Sequence, residues 1–257
     1  MPNSQEALIH LAGTQVASRL WARDTSVFSV AQDAAVREAI EHRLGWLDAP
    51  GAMVLYLAEI EGVAASVRRD GLTHVCLLGM GGSSLCAEVL RLTLAAPEMQ
   101  ERMLVLDTTD ERAVRSVAST LDPAATLFVV ASKSGSTVEV TALEAYFRAW
   151  VEAAVGSRAG QHFIAITDPG TSLAAHASAH GYRHTFVNPA DIGGRYSALS
   201  LFGLVSAALM DIPPARLLAH GVDMAGACRA DSLTNPGLTL GAFMGTQARA
   251  GRDKLTL

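Results

Sequence analysis

A chain of 257 residues, half of them hydrophobic and only 18% charged, can bury a large core in one domain or two and does not stay disordered. Twenty Lys and Arg against 25 Asp and Glu give a net charge of −5, which argues against a broad nucleic-acid footprint. Three scattered cysteines (Cys76, Cys86 and Cys228) fit neither a disulfide framework nor a CxxC metal site and suit a reducing cytoplasm. The opening residues lack the basic and apolar regions of a secretory signal. The longest nearly apolar run, residues 198–210, is too short to span a bilayer.

Residues 1–70 read as a helical arm. Ala34, Val36, Ala39, Ile40 and Leu44 recur at helical spacing, with Arg37, Glu38 and Glu41 on other faces. The Asp48-Ala49-Pro50-Gly51 run breaks the pattern, and a second helix is expected over 53–69. Arg68 and Arg69 suit its C-terminus, and Gly71 suits a left-handed cap. From residue 73 the pattern alternates between short apolar strands and helices. The strand candidates are 74–79, 103–107, 126–132, 162–168 and 183–188. The clearest helix places Val138, Ala142, Ala145, Tyr146, Ala149 and Trp150 on one side, with Glu144 and Arg148 paired at i,i+4 elsewhere. Alternation of this kind predicts the α/β class, with a five-stranded parallel doubly wound sheet over 71–190. A helical extension, 191–257, follows: one helix apolar on nearly every face to about Met210, a stop at Pro213-Pro214, then more helix through 221–229 and 238–249. Residues 252–257 read as the start of a buried strand, and the segment 238–257 is expected to pack poorly.

In a parallel α/β sheet, ligands bind beyond the carboxyl ends of the strands, and three polar loops stand there. The first is Gly79-Met80-Gly81-Gly82-Ser83-Ser84. Ser84 occupies the place of the last glycine of a dinucleotide GxGxxG, so a glycine loop that brings backbone N–H groups close to a sugar or phosphate is the better reading. Asp107 could meet a ribose or cap the next helix. The second loop offers four hydroxyls, from Ser132, Ser134, Ser136 and Thr137, at a helix N-terminus. Gly135 allows the turn and Lys133 can supply a charge, which makes a cradle for a phosphate monoester; the competing reading is a capping box of Ser136 and Glu139. The third loop carries Arg195 after Gly193-Gly194, placed to stabilise an oxyanion or to form a surface ion pair. His176, His180 and His184 read as solvated or capping residues with no shared metal face. Asp168-Pro169-Gly170 reads as a turn, and Cys76 and Cys86 as small core residues.

Taken in order, GMGGSSL, SKSGSTVE and DIGGRYSALS resemble the phosphoglucose isomerase family and its sugar-isomerase fold. The opening, with SRLWARDTSVF and RLGWLDAP, is similar to the isomerase part of transaldolase–phosphoglucose isomerase fusions. The resemblance covers nearly the whole chain but only the first half or so of a typical member. It implies aldose–ketose isomerisation of glucose 6-phosphate and fructose 6-phosphate through a cis-enediolate. It assigns sugar-phosphate binding to Ser132, Lys133, Ser134, Gly135, Ser136 and Thr137, the sugar wall to Gly82, Ser83 and Ser84, and enediolate stabilisation to Arg195. Glu139 closes the phosphate motif near the ligand rather than serving as base. The family's general base, ring-opening histidine and C-terminal lysine belong to a second subdomain whose motifs are not found in these residues. The resemblance further implies no cofactor, no metal, no nucleic-acid or membrane partner, a cytoplasmic location and a homodimer for the full-length protein. A sugar-phosphate-binding module without catalysis is the alternative.

Overall fold

The structure is a computed structural model that describes residues 4–28, 33–252 and 254. Five strands form one all-parallel sheet: β1 (His74–Gly79), β2 (Met103–Leu106), β3 (Thr126–Ala131), β4 (Phe163–Thr167) and β5 (His184–Val187), in the order β2-β1-β3-β4-β5. Each predicted strand is present, and four of the five end a residue or more inside the predicted limits, where the backbone turns into loops. Val75 stands beside both Met103 and Leu127, so β1 is an interior strand, with β2 at the edge on one side and β3, β4 and β5 on the other.

The helices, in chain order, are α1 (Ser4–Gly13), α2 (Val16–Trp21), α3 (Ala34–Glu41), α4 (Ala49–Ala52), α5 (Leu57–Arg69), α6 (Leu85–Thr93), α7 (Pro97–Arg102), α8 (Glu111–Thr120), α9 (Val138–Val155), α10 (Ser172–Ala179), α11 (Leu201–Leu209), α12 (Pro214–Ala227) and α13 (Pro236–Arg249). Period-two alternation in the strands builds a core on each face of the sheet. Val75, Leu77, Leu127, Val129 and Ile164 meet Ile60, Ala64 and Val67 of α5 and the wholly buried α11 on one face. Cys76, Leu78, Phe128, Val130 and Phe163 meet Leu143, Phe147 and Val151 of α9 on the other. Phe128 stacks against Phe147 at 4.8 Å and Phe163 at 5.2 Å between ring centroids. The helical run Ala49–Arg69 is long and apolar enough to cross a membrane, but it turns Ile60, Ala64 and Val67 into this core.

Three expectations are corrected. On α9 the buried stripe is Val140, Leu143, Glu144, Phe147 and Val151, while Val138 (76% exposed), Ala142, Ala145, Tyr146 and Ala149 face outwards. Alanine is small enough to sit on either face, so it misleads a periodicity reading. The break at 48–51 is milder than expected, because Pro50 lies in the first turn of α4, where its missing N–H costs nothing. Residues 238–249 are not loose throughout: Leu238 and Ala242 of α13 form a small cluster with Leu8 and Ala17, while Leu240, Phe243 and Met244 on its other sides stay exposed. The strand expected at 252–257 lies outside the described residues, apart from Arg252 and Lys254.

Candidate functional site

The strand order reverses between β1 and β3, so the loops after these two strands flank the switch point, where doubly wound sheets bind ligands. After β1, residues Gly81–Ser83 make one tight turn. Gly82 packs so closely on the third loop that a Cβ there would lie 2.3 Å from the Gly194 carbonyl oxygen. The Ser197 hydroxyl ties the two loops by donating to the carbonyls of Gly82 (2.9 Å) and Gly194 (2.8 Å). The two glycine motifs, far apart in sequence, thus form one wall beyond β1. Ser83 is half-buried, and its hydroxyl has no hydrogen-bond partner among the described residues. Ser84 is instead buried and donates to the Gly81 carbonyl at 3.1 Å, so it shapes the turn.

After β3, Ser132 is buried and its hydroxyl meets that of Thr137 at 3.1 Å, closing the loop across its mouth. Gly135 takes a positive φ of 67°, and a Cβ there would stand 2.5 Å from the Thr171 Cβ. Ser172 donates to the Gly135 carbonyl at 2.7 Å, so the loop is braced by the start of α10. Ser134 and Ser136 are exposed, with their hydroxyls 3.3 Å apart. The capping box is not formed. Thr137 is the N-cap of α9, yet its side chain makes no capping bond and points to Ser132. The eighteen-residue α9 therefore meets the loop with unsatisfied N–H groups and its positive dipole end, beside three reachable hydroxyls. Glu139 lies in the first turn of α9 and is exposed.

Lys133 does not face this cradle. Its Nζ forms an ion pair with Asp168, is held by the Ala190 carbonyl at 2.9 Å, and lines a neighbouring cavity. Asp168, read from sequence only as part of a turn, is thus the anchor of the loop lysine; its other oxygen is buried and unpartnered. Arg195 is exposed and, among the described residues, has no ion-pair partner, so the surface-pair reading fails. It lines a cavity of about 540 Å³ with Lys133, Ala190, Gly193, Gly194 and Tyr196, and no carboxylate is among the lining residues. Asp107 is exposed, and the cap of α8 is Asp110, which accepts from the N–H groups of Arg112 and Ala113.

Behind the 132–137 loop lies a cluster of which sequence reasoning found only the Glu144–Arg148 pair. Glu144, 3% exposed, accepts from Tyr182 Oη (2.7 Å) and Arg148 Nε (2.9 Å) and lies 3.0 Å from His176 Nε2. Burial, and then the Glu144 carboxylate, push the Tyr182 phenol well above its ordinary pKa. His180 stacks on His176 at 4.0 Å, and His184 pairs with Glu59 at 2.7 Å, so these histidines serve three different contacts. Among the described residues no three His, Cys, Asp or Glu side chains gather as a metal set.

This arrangement defines a class: an open parallel α/β domain with a hydroxyl-rich loop and an uncapped helix N-terminus at its switch point, and an unpaired guanidinium on the loop packed beside it. The phosphoglucose isomerase family model matches residues 60–222, and the chain belongs to that family. It is 32% identical over 200 residues to a glucose-6-phosphate isomerase of Carboxydothermus hydrogenoformans, covering 74% of this chain and 43% of the relative. It is also 32% identical to that of Citrifermentans bemidjiense, over 88% of this chain and 47% of the relative. The chain thus spans about half the length of these relatives. A solved Thermus thermophilus structure, described as a hypothetical protein, superposes with a TM-score of 0.80 at 28% identity, over 95% of this chain and 55% of that one. A glucose-6-phosphate isomerase from Chlamydia trachomatis shares the fold, with a TM-score of 0.65 at 21% identity, over 96% of this chain and 48% of that one.

Proposed function

We propose that this chain is the sugar-phosphate-binding part of a glucose-6-phosphate isomerase, in which Ser132, Ser134, Gly135, Ser136 and Thr137 hold the phosphate and Gly82 and Ser83 line the sugar. The observation that carries the reading is the uncapped N-terminus of α9 beneath converging hydroxyls, in a chain of this family. Ser84 supports the wall through the Gly81 turn, Lys133 acts through its pair with Asp168, and Glu139 lies at the phosphate end.

Isomerisation moves a proton between neighbouring carbons of the ring-opened sugar, through a cis-enediolate whose negative oxygen needs a cation. Arg195 supplies that charge as the catalytic electrostatic residue. A guanidinium stays protonated at neutral pH, so it cannot be the base. The cavity beside Arg195 has no carboxylate in its walls, which favours a second reading for these residues taken alone: binding without turnover. Both readings hold together if base and ring-opening groups come from a second subdomain. Residues 1–70 then form an arm, 71–190 the binding domain and 191–257 the connection, in a cytoplasmic homodimer.

The test is a pair of measurements. Calorimetry should detect fructose 6-phosphate binding to residues 1–257, and a coupled assay should find no isomerisation above background, since a missing general base removes ~10²–10⁴-fold in rate. Robust turnover by these residues would sink the division of roles and make Glu139 the first suspect as base. No binding at all would sink the phosphate site.

A further inference from the structure

The cavity beside Arg195 has a second wall, made by the arm: Ala39, His42 and Arg43 line it opposite Gly193, Gly194, Arg195 and Tyr196. The arm is stitched to the third loop at this point. Leu44 and Ile192 form an antiparallel bridge, and the Gly45 N–H donates to the Asp191 carbonyl at 3.0 Å. Trp46 stacks on Tyr196 at 5.4 Å with the rings 20° apart. Arg43 lies in the turn that closes α3, just before this bridge. Gly193 and Gly194 carry no side chains, so the space above them stays open to Arg43 and Arg195. Gly45 makes the approach possible, since a Cβ there would lie 2.3 Å from the Asp191 carboxylate.

The charge in this cavity is unbalanced. The neighbouring carboxylates are already engaged: Asp168 with Lys133 and Glu38 with His42 at 3.7 Å, both partners being cavity-lining side chains, and Asp191 with Arg23 at 3.7 Å. Among the described residues neither Arg43 nor Arg195 has a side-chain partner. Two guanidiniums from different parts of the chain thus share one cavity with no carboxylate in its walls. Each offers a planar fork of donors that matches a phosphate or carboxylate. Lys133 belongs by its backbone to the phosphate loop and by its side chain to this cavity, so the two sites adjoin.

We infer that Arg43, set beside Arg195 by the arm, completes a second anion subsite, and that the chain binds sugar phosphates bearing a further anionic group at the far end, sugar bisphosphates in particular. The inference rests on the phosphate reading of the 132–137 loop only for the ligand's first anchor. Arg43 is a specificity residue here, and the arm is a wall of the ligand cleft.

The experiment titrates fructose 6-phosphate and fructose 1,6-bisphosphate into the wild-type chain and into Arg43→Ala, Arg43→Lys and Thr137→Ala variants at fixed ionic strength. Amide chemical shifts of Gly193, Gly194 and Tyr196 locate the second anion. Arg43→Ala should weaken the bisphosphate about tenfold and the monophosphate threefold or less, with Arg43→Lys between it and wild type. Thr137→Ala should weaken both ligands alike. Equal losses for both ligands in Arg43→Ala, or none, would overturn the subsite while leaving the phosphate loop standing. Arg43-dependent bisphosphate binding without any monophosphate binding would uphold the subsite and overturn the loop's role. Failure of the wild-type chain to bind either ligand would overturn both.

Discussion

The hydroxyls of the 132–137 loop differ in what they hold. Ser132 and Thr137 close the loop on each other, whereas Ser134 and Ser136 face solvent. Thr137→Ala removes a donor at the mouth of the cradle and should weaken fructose 6-phosphate binding by roughly 1–3 kcal/mol in a calorimetric titration. Thr137→Ser keeps the hydroxyl and should recover most of that loss. Unchanged affinity in Thr137→Ala would mean that the helix N-terminus binds nothing there. Behind the loop, Tyr182 is held neutral by burial and by Glu144, and burial pushes the Cys76 thiol up to about 12. Both groups bind a proton more tightly in the folded chain than in the unfolded one. The stability this gives is full below the unfolded values and is lost as pH rises above ~9. Thermal melting should therefore fall steadily between about pH 8.5 and 11, and Tyr182→Phe should flatten that fall. An equally steep fall in the variant would show that Tyr182 ionises freely.

The strands were plain in the sequence because each is a short apolar run closed by a polar loop, as sheets covered on both faces require. Helix α9 shows why faces are harder to read. Its outward side carries Ala142, Ala145 and Ala149, which pass for core, while its inward side includes Glu144, a charge made tolerable by Tyr182, Arg148 and His176. The i,i+4 spacing announces Arg148, but Tyr182 and His176 come from distant parts of the chain, and no local pattern announces them. The same holds at the site. The three loops and Arg195 are legible as motifs, but the Lys133–Asp168 pair is set by the neighbouring β3 and β4, and the approach of Gly82 to Gly194 joins loops that follow β1 and β5. Glu144→Ala should cost about 1–3 kcal/mol in denaturant unfolding, because it leaves the buried Tyr182 hydroxyl without its acceptor, while Arg148 keeps Glu152 at 2.6 Å. A change below about 1 kcal/mol would mean that the cluster is solvated. Gly82→Ala drives a methyl into the Gly194 carbonyl and should part the two loops. The expected result is a cost of ~1–3 kcal/mol together with weaker ligand binding, read by melting and titration of the same sample.

At the scale of the whole molecule, the sheet is the buried centre, α5 of the arm belongs to its core, and α3 is the lightly fastened part of the arm. Every residue of β3 is buried, whereas α3 has none that is. Hydrogen exchange should open α3 far sooner than β3, and a bound bisphosphate should slow exchange at α3 by bringing Arg43 onto the ligand. Ligand-independent exchange there would detach the arm from the cleft. Everything proposed for this chain starts from one placement, that of a sugar phosphate on the 132–137 loop. The most direct measurement is a crystal structure of residues 1–257 grown with fructose 6-phosphate. The expected result is the phosphate at the N-terminus of α9, accepting hydrogen bonds from the Ser134, Ser136 and Thr137 hydroxyls, with the sugar running past Ser83 towards Arg195. A phosphate bound elsewhere, with that loop empty, would contradict it.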